Sequence, residues 1–404
     1  MSYPSTLEAA KNYKHKFWSK QPIMAMNEIV SKDESINKPL NELTITNTPT
    51  KLPSEFEWLN LNLSNKEHLE RLLILLNTYY TNSTQFSQIH TEEFMKWYYD
   101  DNSVQVHLCV KSSKHNLFVG YICGKVVKAQ VNRLVTDFIE VRLLCVHQQL
   151  RNKKLAPCLM TELTRQFNLL GYDKAFYSTN VYINKPLISS KYYLRPINVD
   201  KLLNTGFLKI DTKNTNITVE NIKQANEIIV ENKSSNFVKM RSHHVEMAYN
   251  LFNMYIDKYN YHPIFTLEEF THLFYNNKFV KSYVFTEKDN EDDADEDEYI
   301  VDFVSYYITE IEVLKGDCIN KVIKKANLFY YTSLGKTPYS ILKNILMVAK
   351  EDDMDVFSAL NIMEHGEILK ELNFEEFGHD LHYYLYNWRV RTLGNNQIGL
   401  VAFN

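Results

Sequence analysis

The chain has 404 residues, 45% hydrophobic and 23% charged, enough for two or three packed units or one large duplicated fold. Lys and Arg number 45 against 49 Asp and Glu, a formal charge of −4, so no global basic field exists to hold nucleic acid or an anionic membrane. None of the 10 glycines spells GxGxxG, and Leu400 rather than lysine follows the Gly394–Gly399 spacing, which excludes a Rossmann or P-loop nucleotide site.

The opening residues lack an apolar core and no apolar run reaches roughly 18 residues, so neither a secretion signal nor a membrane span is expected. Residues 20–55 are polar, with Pro22, Pro39, Pro49 and Pro53, and read as a surface-hugging or flexible arm. From Phe56 a packed unit begins: Asn65 starts a helix to about Tyr80, and Thr91, Glu92 and Glu93 start another. β-rich runs at 104–110, 117–124 and 138–146, the last two joined by a longer polar loop, predict an antiparallel meander. A helix over 154–170, stopped by Gly171, and a strand over 175–179 follow.

The second half repeats this order loosely. Helices are expected at 219–231, 241–257, 266–275, 338–350 and 364–371, and strands at 279–286, 299–307, 327–332, 354–358, 381–388 and 397–403. The matching order suggests an internal duplication about a pseudo-twofold axis. The acidic run 287–298 has no glycine to turn a calcium loop and reads as a solvated hairpin insertion. Five cysteines, odd in number and without CxxC, read as reduced thiols in a cytosolic protein. His243 and His244, adjacent in a helix, do not share a metal face, and no metal site is expected.

The most informative stretch is 140–159, where an apolar strand runs through a basic turn into a helix. Unsatisfied N–H groups and the positive helix end then converge where a phosphate can sit, with Arg151, Lys153 and Lys154 adding charge. The spacing of Arg151, Lys154 and Ala156 resembles the pyrophosphate turn of the Gcn5-related acyltransferases, with lysine where many have glycine; a solvated basic helix start is the plain alternative.

Spaced matches in one order extend this likeness over nearly the whole chain: Lys16–Pro22, Glu55–Trp58, 140–159, 175–181, Lys185-Pro186-Leu187, Asp302–Tyr307, Asp355–Glu364, Tyr383–Arg389 and the end of the chain. Together they resemble the glycylpeptide N-tetradecanoyltransferase, or protein N-myristoyltransferase, family. The resemblance implies an α+β fold of two pseudo-twofold-related Gcn5-like halves around a saddle-shaped mixed sheet flanked by helices. It implies an arm over 1–55 closing on acyl-CoA, a half over 56–210 that binds myristoyl-CoA, and a half over 211–404 that binds the peptide and carries the terminal carboxylate.

Residue by residue, the resemblance implies that Lys16, Phe17 and Trp18 fold over the CoA end. Arg151, Asn152, Lys153, Lys154, Leu155 and Ala156 would cradle the CoA phosphates. Leu143, Leu144, Cys145 and Val146 would line the thioester, the N–H groups of Leu143 and Leu144 forming an oxyanion hole. The C-terminal carboxylate on Asn404 would take the proton of the substrate's glycine ammonium, whose pKa of about 8 leaves it mostly charged at neutral pH. Phe86, Tyr177, Ser178, Tyr192, Ser305 and Tyr330 would line the peptide groove, or else be packed rings and satisfied hydroxyls. Cys145 and His147, two apart on a strand, offer a Cys/His nucleophile as an alternative.

Departures from the family gather on the peptide side. The stretch after Tyr80 carries no carboxylate, 375–380 replaces a glycine-aspartate-glycine stretch, Leu194 stands for a histidine and Asn180 for a glycine, and the tail runs one residue longer past Gly399. The expected enzyme transfers myristate to N-terminal-glycine proteins in the cytoplasm as a monomer, with less preference for a lysine after the glycine. A same-fold acyltransferase with another acyl group or amine, such as lysine, and a non-catalytic reader of acyl-CoA or glycine N-termini remain alternatives.

Overall fold

The computed structural model describes residues 3–99, 102–209, 218–230, 233–288, 299–318 and 321–402. They fall into two compact units: Met1–Ser83 with His90–Ser190 and Asp380–Gly394, and Thr84–Ile89 with Lys191–His379 and Asn395–Asn404.

In the first unit, β1 (Phe56–Asn60), helix α1 (Lys66–Tyr79), β2 (Gln105–Ser112), β3 (Leu117–Val131), β4 (Leu134–Val146), helix α2 (Leu155–Leu169) and β5 (Ala175–Thr179) follow in turn. β1 to β4 pair antiparallel as neighbours, β4 pairs parallel with β5, and residues 382–386 pair antiparallel with β5. Asn65 caps α1 by accepting from His68 N, and Leu69, Leu72, Leu75 and Leu76 form its buried stripe. The longer loop expected within 125–137 is instead a continued hairpin: valines carry both strands to Val131 and Leu134, and Asn132 supplies the positive φ, 53°, of the two-residue turn.

Helix α2 packs Leu159, Leu163 and Phe167 onto Val106, Leu108, Val119, Ile122 and Ile139. Gly124 permits this: a Cβ there would lie 2.5 Å from Phe167 Cε2 and 2.8 Å from Ile139 Cγ2. The arm is docked on the same helix. Buried Glu162 accepts from Thr50 N at 2.8 Å and from Arg165 Nη2 at 2.6 Å, while Arg165 Nη1 donates to Thr46 O. Burial raises the Glu162 carboxyl, but Arg165, the Thr50 N–H and Gln166 outweigh it and hold the group below its usual range.

The second unit repeats the plan. β6 (Ile188–Pro196, of this unit from Lys191), helix α3 (Val245–Ile256), β7 (Val280–Glu287), β8 (Tyr299–Val313), β9 (Val322–Tyr331), helix α4 (Pro338–Glu351) and β10 (Val356–Leu360) follow, and β11 (Glu375–Tyr386) belongs to this unit only as far as His379. β7, β8 and β9 form an antiparallel meander, α4 crosses over, β10 pairs parallel with β9, and β6 pairs antiparallel with β10. Meander, helix and parallel strand thus occur twice, as the sequence suggested. Strand β6 went unread there, and the expected strand over 397–403 is absent among the described residues: after a 3-10 turn at Asn395–Gln397 the tail makes one isolated parallel bridge, Ile398 to Tyr261, and then single bonds to tyrosine side chains. The helix expected over 219–231 ends at Ala225, and most of the acidic run, 289–298, lies outside the described residues.

Gly124→Val should lift α2 from the sheet and lower stability by about 1–3 kcal/mol, the usual cost of overpacking. Urea denaturation reads this as an earlier midpoint. Gly120→Ala should cost less, because its Cβ would meet only the side-chain ends of Leu155 and Leu159, at 3.1 Å.

Candidate active site

The ladder between β3 and β4 slips where it approaches the basic turn. Tyr121 faces Cys145 and Cys123 faces Arg142, so Leu143 and Leu144 together oppose one residue of β3. This is a β-bulge, and Leu143 takes φ 53°, a conformation that costs a non-glycine residue about 1–3 kcal/mol and that gathers at functional sites. On its other side β4 pairs with β5 only at Ile139 and Glu140. Beyond Glu140 the two parallel strands part, while β5 continues against residues 382–386. Leu143 is buried and Leu144 exposed beside this opening.

The turn that follows is built from two further positive-φ residues, Asn152 at 63° and Lys154 at 67°. Lys154 occupies the cap position of α2 without a side-chain capping bond, and Pro157 contributes no N–H, so the amides of Leu155 and Ala156 open the helix. Asn152, Lys153 and Lys154 are exposed. Arg151 is employed differently: its Nε donates to Val146 O at 3.1 Å, and its other nitrogens donate to Tyr79 O and Asn82 Oδ1. It ties the turn to the end of α1, leaving the two lysines as the turn's cations without an ion-pair partner among the described residues.

Cys145 and His147 do not form a nucleophilic pair. The buried Cys145 thiol donates to Leu75 O at 3.6 Å and is pushed up to about 12 by burial, which keeps it protonated. His147 accepts from Gln149 N at 3.3 Å, and its ring packs on Tyr79. Val146 is half-buried at the end of β4.

Lys16, Phe17 and Trp18 lead into a 3-10 turn, Trp18–Lys20. Trp18 stacks on Tyr177 with centroids 5.6 Å apart, and Tyr177 stacks on Tyr384 at 5.4 Å. The structure therefore brings a residue expected at the CoA end onto one expected in the peptide groove. The Tyr177 hydroxyl is buried and has no hydrogen-bond partner among the described residues, while its neighbour Ser178 faces Tyr383 across the ladder.

In the second unit Phe86 lies on a short strand paired with β8 and packs on Phe207. Tyr192 sits on β6 under the ammonium of Lys325, 5.6 Å from its ring centre. Ser305 is a satisfied core hydroxyl: it donates to Tyr330 O at 3.1 Å and accepts from Tyr330 N at 3.2 Å, filling a register slip between β8 and β9. Tyr330 is buried, and its hydroxyl accepts from Val401 N at 3.2 Å. Sequence reading overlooked the other groups that hold the tail. Tyr307 Oη donates to Ala402 O, Gly399 N donates to Tyr261 O, and Gly399 lies against the Tyr259 ring, where a Cβ would come within 2.7 Å. Tyr259 and Tyr255 both donate to Glu364. Burial raises that carboxyl, but Lys258 and the tyrosines bring it below its usual range. Asn404, the expected base, lies outside the described residues.

A meander whose last strand leads through an exposed helix start to a splayed parallel strand defines the Gcn5-related acyltransferase class. Two domain models of the myristoyl-CoA:protein N-myristoyltransferase family match the chain, the N-terminal domain over residues 35–190 and the C-terminal domain over residues 204–401. A Drosophila melanogaster glycylpeptide N-tetradecanoyltransferase is 30% identical over 98% of this chain and 82% of its own length. A Plasmodium falciparum enzyme of the same name is 30% identical over 96% and 93%. Among solved structures, Saccharomyces cerevisiae N-myristoyltransferase with bound myristoyl-CoA superposes with a TM-score of 0.86 at 26% identity, covering 96% of this chain and 99% of that one. A second yeast structure, with myristoyl-CoA and inhibitors, gives 0.88 at 26% identity over 98% of each chain. The chain belongs to the N-myristoyltransferase family, as a glycylpeptide N-tetradecanoyltransferase. Among its described residues no helix is long and apolar enough to cross a membrane, and no three His, Cys, Asp or Glu side chains group to hold a metal.

Cys145→Ala should keep kcat within about twofold and lower stability by roughly 1 kcal/mol, the scale of one small buried group. Initial rates of acyl transfer beside a thermal melt check this; a loss of a thousandfold would restore the nucleophile.

Proposed function

We propose that the chain moves the myristoyl group of myristoyl-CoA onto the N-terminal glycine amine of peptides and proteins by direct attack. The amine lone pair adds to the thioester carbonyl, the C–S bond breaks, CoA leaves as its thiolate and takes a proton, and an amide remains. Lys153, Lys154 and the amides of Leu155 and Ala156 hold the CoA phosphates at the helix start, with Arg151 and Asn152 shaping the turn. The amides of Leu143 and Leu144 receive the charge that develops on the carbonyl oxygen, worth about 3–4 kcal/mol per donor. The bulge at these residues, with Leu143 at φ 53°, is the observation that carries this reading, because it releases backbone from the β3 ladder beside the opening between β4 and β5.

In this reading the arm with Lys16, Phe17 and Trp18 closes on the acyl-CoA. The 56–210 half binds it, and the 211–404 half receives the peptide. The carboxylate of Asn404 takes the ammonium proton before attack. Support comes from the ordered tail: bonds at Gly399, Val401 and Ala402 fix the chain just before its last residues. Phe86, Tyr177, Ser178 and Tyr192 line the peptide path, while Ser305 and Tyr330 act by shaping β9 and holding the tail. Preference for a lysine after the glycine is weakened. Of the carboxylates in 375–380, Glu376 is already committed to Lys191 at 2.5 Å and Tyr193 at 3.0 Å.

Purified protein with myristoyl-CoA and a panel of peptides should release CoA and yield an acylated mass only with free N-terminal glycine; acetyl-capped peptides should be inert. Binding of acyl-CoA without any transfer would overturn the reading. Gly399→Ala, by displacing the tail, should lower kcat tenfold or more, about 1.4 kcal/mol of barrier, with acyl-CoA affinity unchanged by calorimetry. Matched peptides with lysine or alanine near the glycine should differ by less than about threefold in kcat/KM, the scale of a weak solvent-screened charge contact.

A further inference from the structure

On the second unit's sheet, cross-strand partners share a face. Two successive rows on one face are Tyr307, Asn327, Ser358 and Leu194, then Thr309, Lys325, Val356 and Pro196. Leu360 pairs with Tyr192 and brings that ring to the same face. The first row carries the hydroxyl that donates to Ala402 O in the tail. Lys325 stands one row further along, about 7 Å away by the strand repeat.

Lys325 differs from the lysines of this unit that are paired with an acid. Lys191, Lys201, Lys233, Lys258 and Lys336 each pair with a carboxylate. Among the described residues no carboxylate lies within 4.0 Å of Lys325 Nζ, and the acids nearest in β8, Glu310 and Glu312, stand opposite Lys324 and Val322, in rows that alternate to the other face. Its one ring contact is Tyr192. The side chain, with Tyr192 and Thr309, is only half-buried, yet desolvation lowers its ammonium to about 8. A cation walled by protein but still reached by solvent belongs at the floor of a groove, where a cation without a counter-charge is costly and a carboxylate brought by a ligand would relieve the cost.

We propose that Lys325, seated on Tyr192, is a subsite for an anionic side chain of the acceptor peptide, an Asp or Glu within about two to five residues of its N-terminal glycine at the extended-chain repeat. This rests on the reading that the tail marks the glycine amine. It gives the altered peptide side a positive preference: the enzyme selects acidic sequences and disfavours lysine at that position.

The test scans Glu, Gln and Lys through positions 3 to 7 of one glycine peptide and measures kcat/KM. Binding of the same peptides in the presence of a non-hydrolysable acyl-CoA thioether is measured in parallel by fluorescence anisotropy. At one position Glu should exceed Gln by about fivefold or more and Lys should fall below Gln, as complementary and opposed charges in a partly desolvated site require. Lys325→Met should remove the difference between Glu and Gln while the Gln peptide keeps its rate, Lys325→Arg should retain the preference, and Lys325→Glu should reverse it toward Lys. Intact transfer with no discrimination at any position, or discrimination that survives in Lys325→Met, overturns the subsite and leaves the transferase standing. Discrimination in binding without any transfer upholds the subsite and overturns the transferase reading instead.

Discussion

The seating of α2 on the sheet is the constraint on which the acyl-CoA side depends. Without a Cβ at Gly124, Phe167 and Ile139 close over the strand, and the helix lies near enough for its first turn to stand at the end of β4. Any rise of the helix would carry Lys154, Leu155 and Ala156 away from the bulge at Leu143. The bulge, the two positive-φ turn residues and the Arg151 tether to Tyr79 O and Val146 O then set direction within that height. Backbone geometry therefore does the positioning, and side-chain chemistry adds charge where the backbone leaves room.

The division of cations in the turn follows from burial. Arg151 has three hydrogen-bond partners within the chain, and its planar fork suits several fixed carbonyls at once. Lys153 and Lys154 are exposed, so each contributes on the order of 1 kcal/mol or less to an anion at ordinary salt. The amides at the start of α2 are rigid and cost nothing to order, which makes them the larger part of a phosphate site. Deeper in the same helix buried Glu162 and half-buried Arg165 form a pair whose further bonds include Thr46, Asn47 and Thr50, so that the chain before Phe56 shares the helix that carries the turn.

Local patterns were legible in the sequence, and long-range partnerships were not. The leucine stripe of α1, the meander and the helix after Lys154 could all be read, because period and capping are properties of neighbouring residues. So could the recurrence of meander, helix and strand. Ile188–Pro196 escaped notice because ISSKYYLRP mixes hydroxyls, a lysine and two tyrosines, with a burial pattern that its place inside the sheet, beside β10, makes sensible. The tail erred in the other direction. GlnIleGlyLeuValAlaPheAsn has strand composition, yet the bonds of its described residues include ones to Asn260, Tyr261, Tyr307, Tyr330 and Met363, each far away in sequence. Ser305 could be singled out by position but not assigned a task, since its two bonds to Tyr330 depend on a slip in register.

The tail is fixed by a different principle from the strands. In a strand, a slip of one residue turns every side chain to the opposite face, and a terminal carboxylate would be carried with it. Here the chain is held at separate points, by Gly399 against the Tyr259 ring, by Val401 N at the Tyr330 hydroxyl and by Ala402 O at the Tyr307 hydroxyl. No ladder transmits a shift from one point to the next. The tyrosines, kept in place by Glu364 and by the β8 and β9 core, therefore set the path of residues 399–402 point by point.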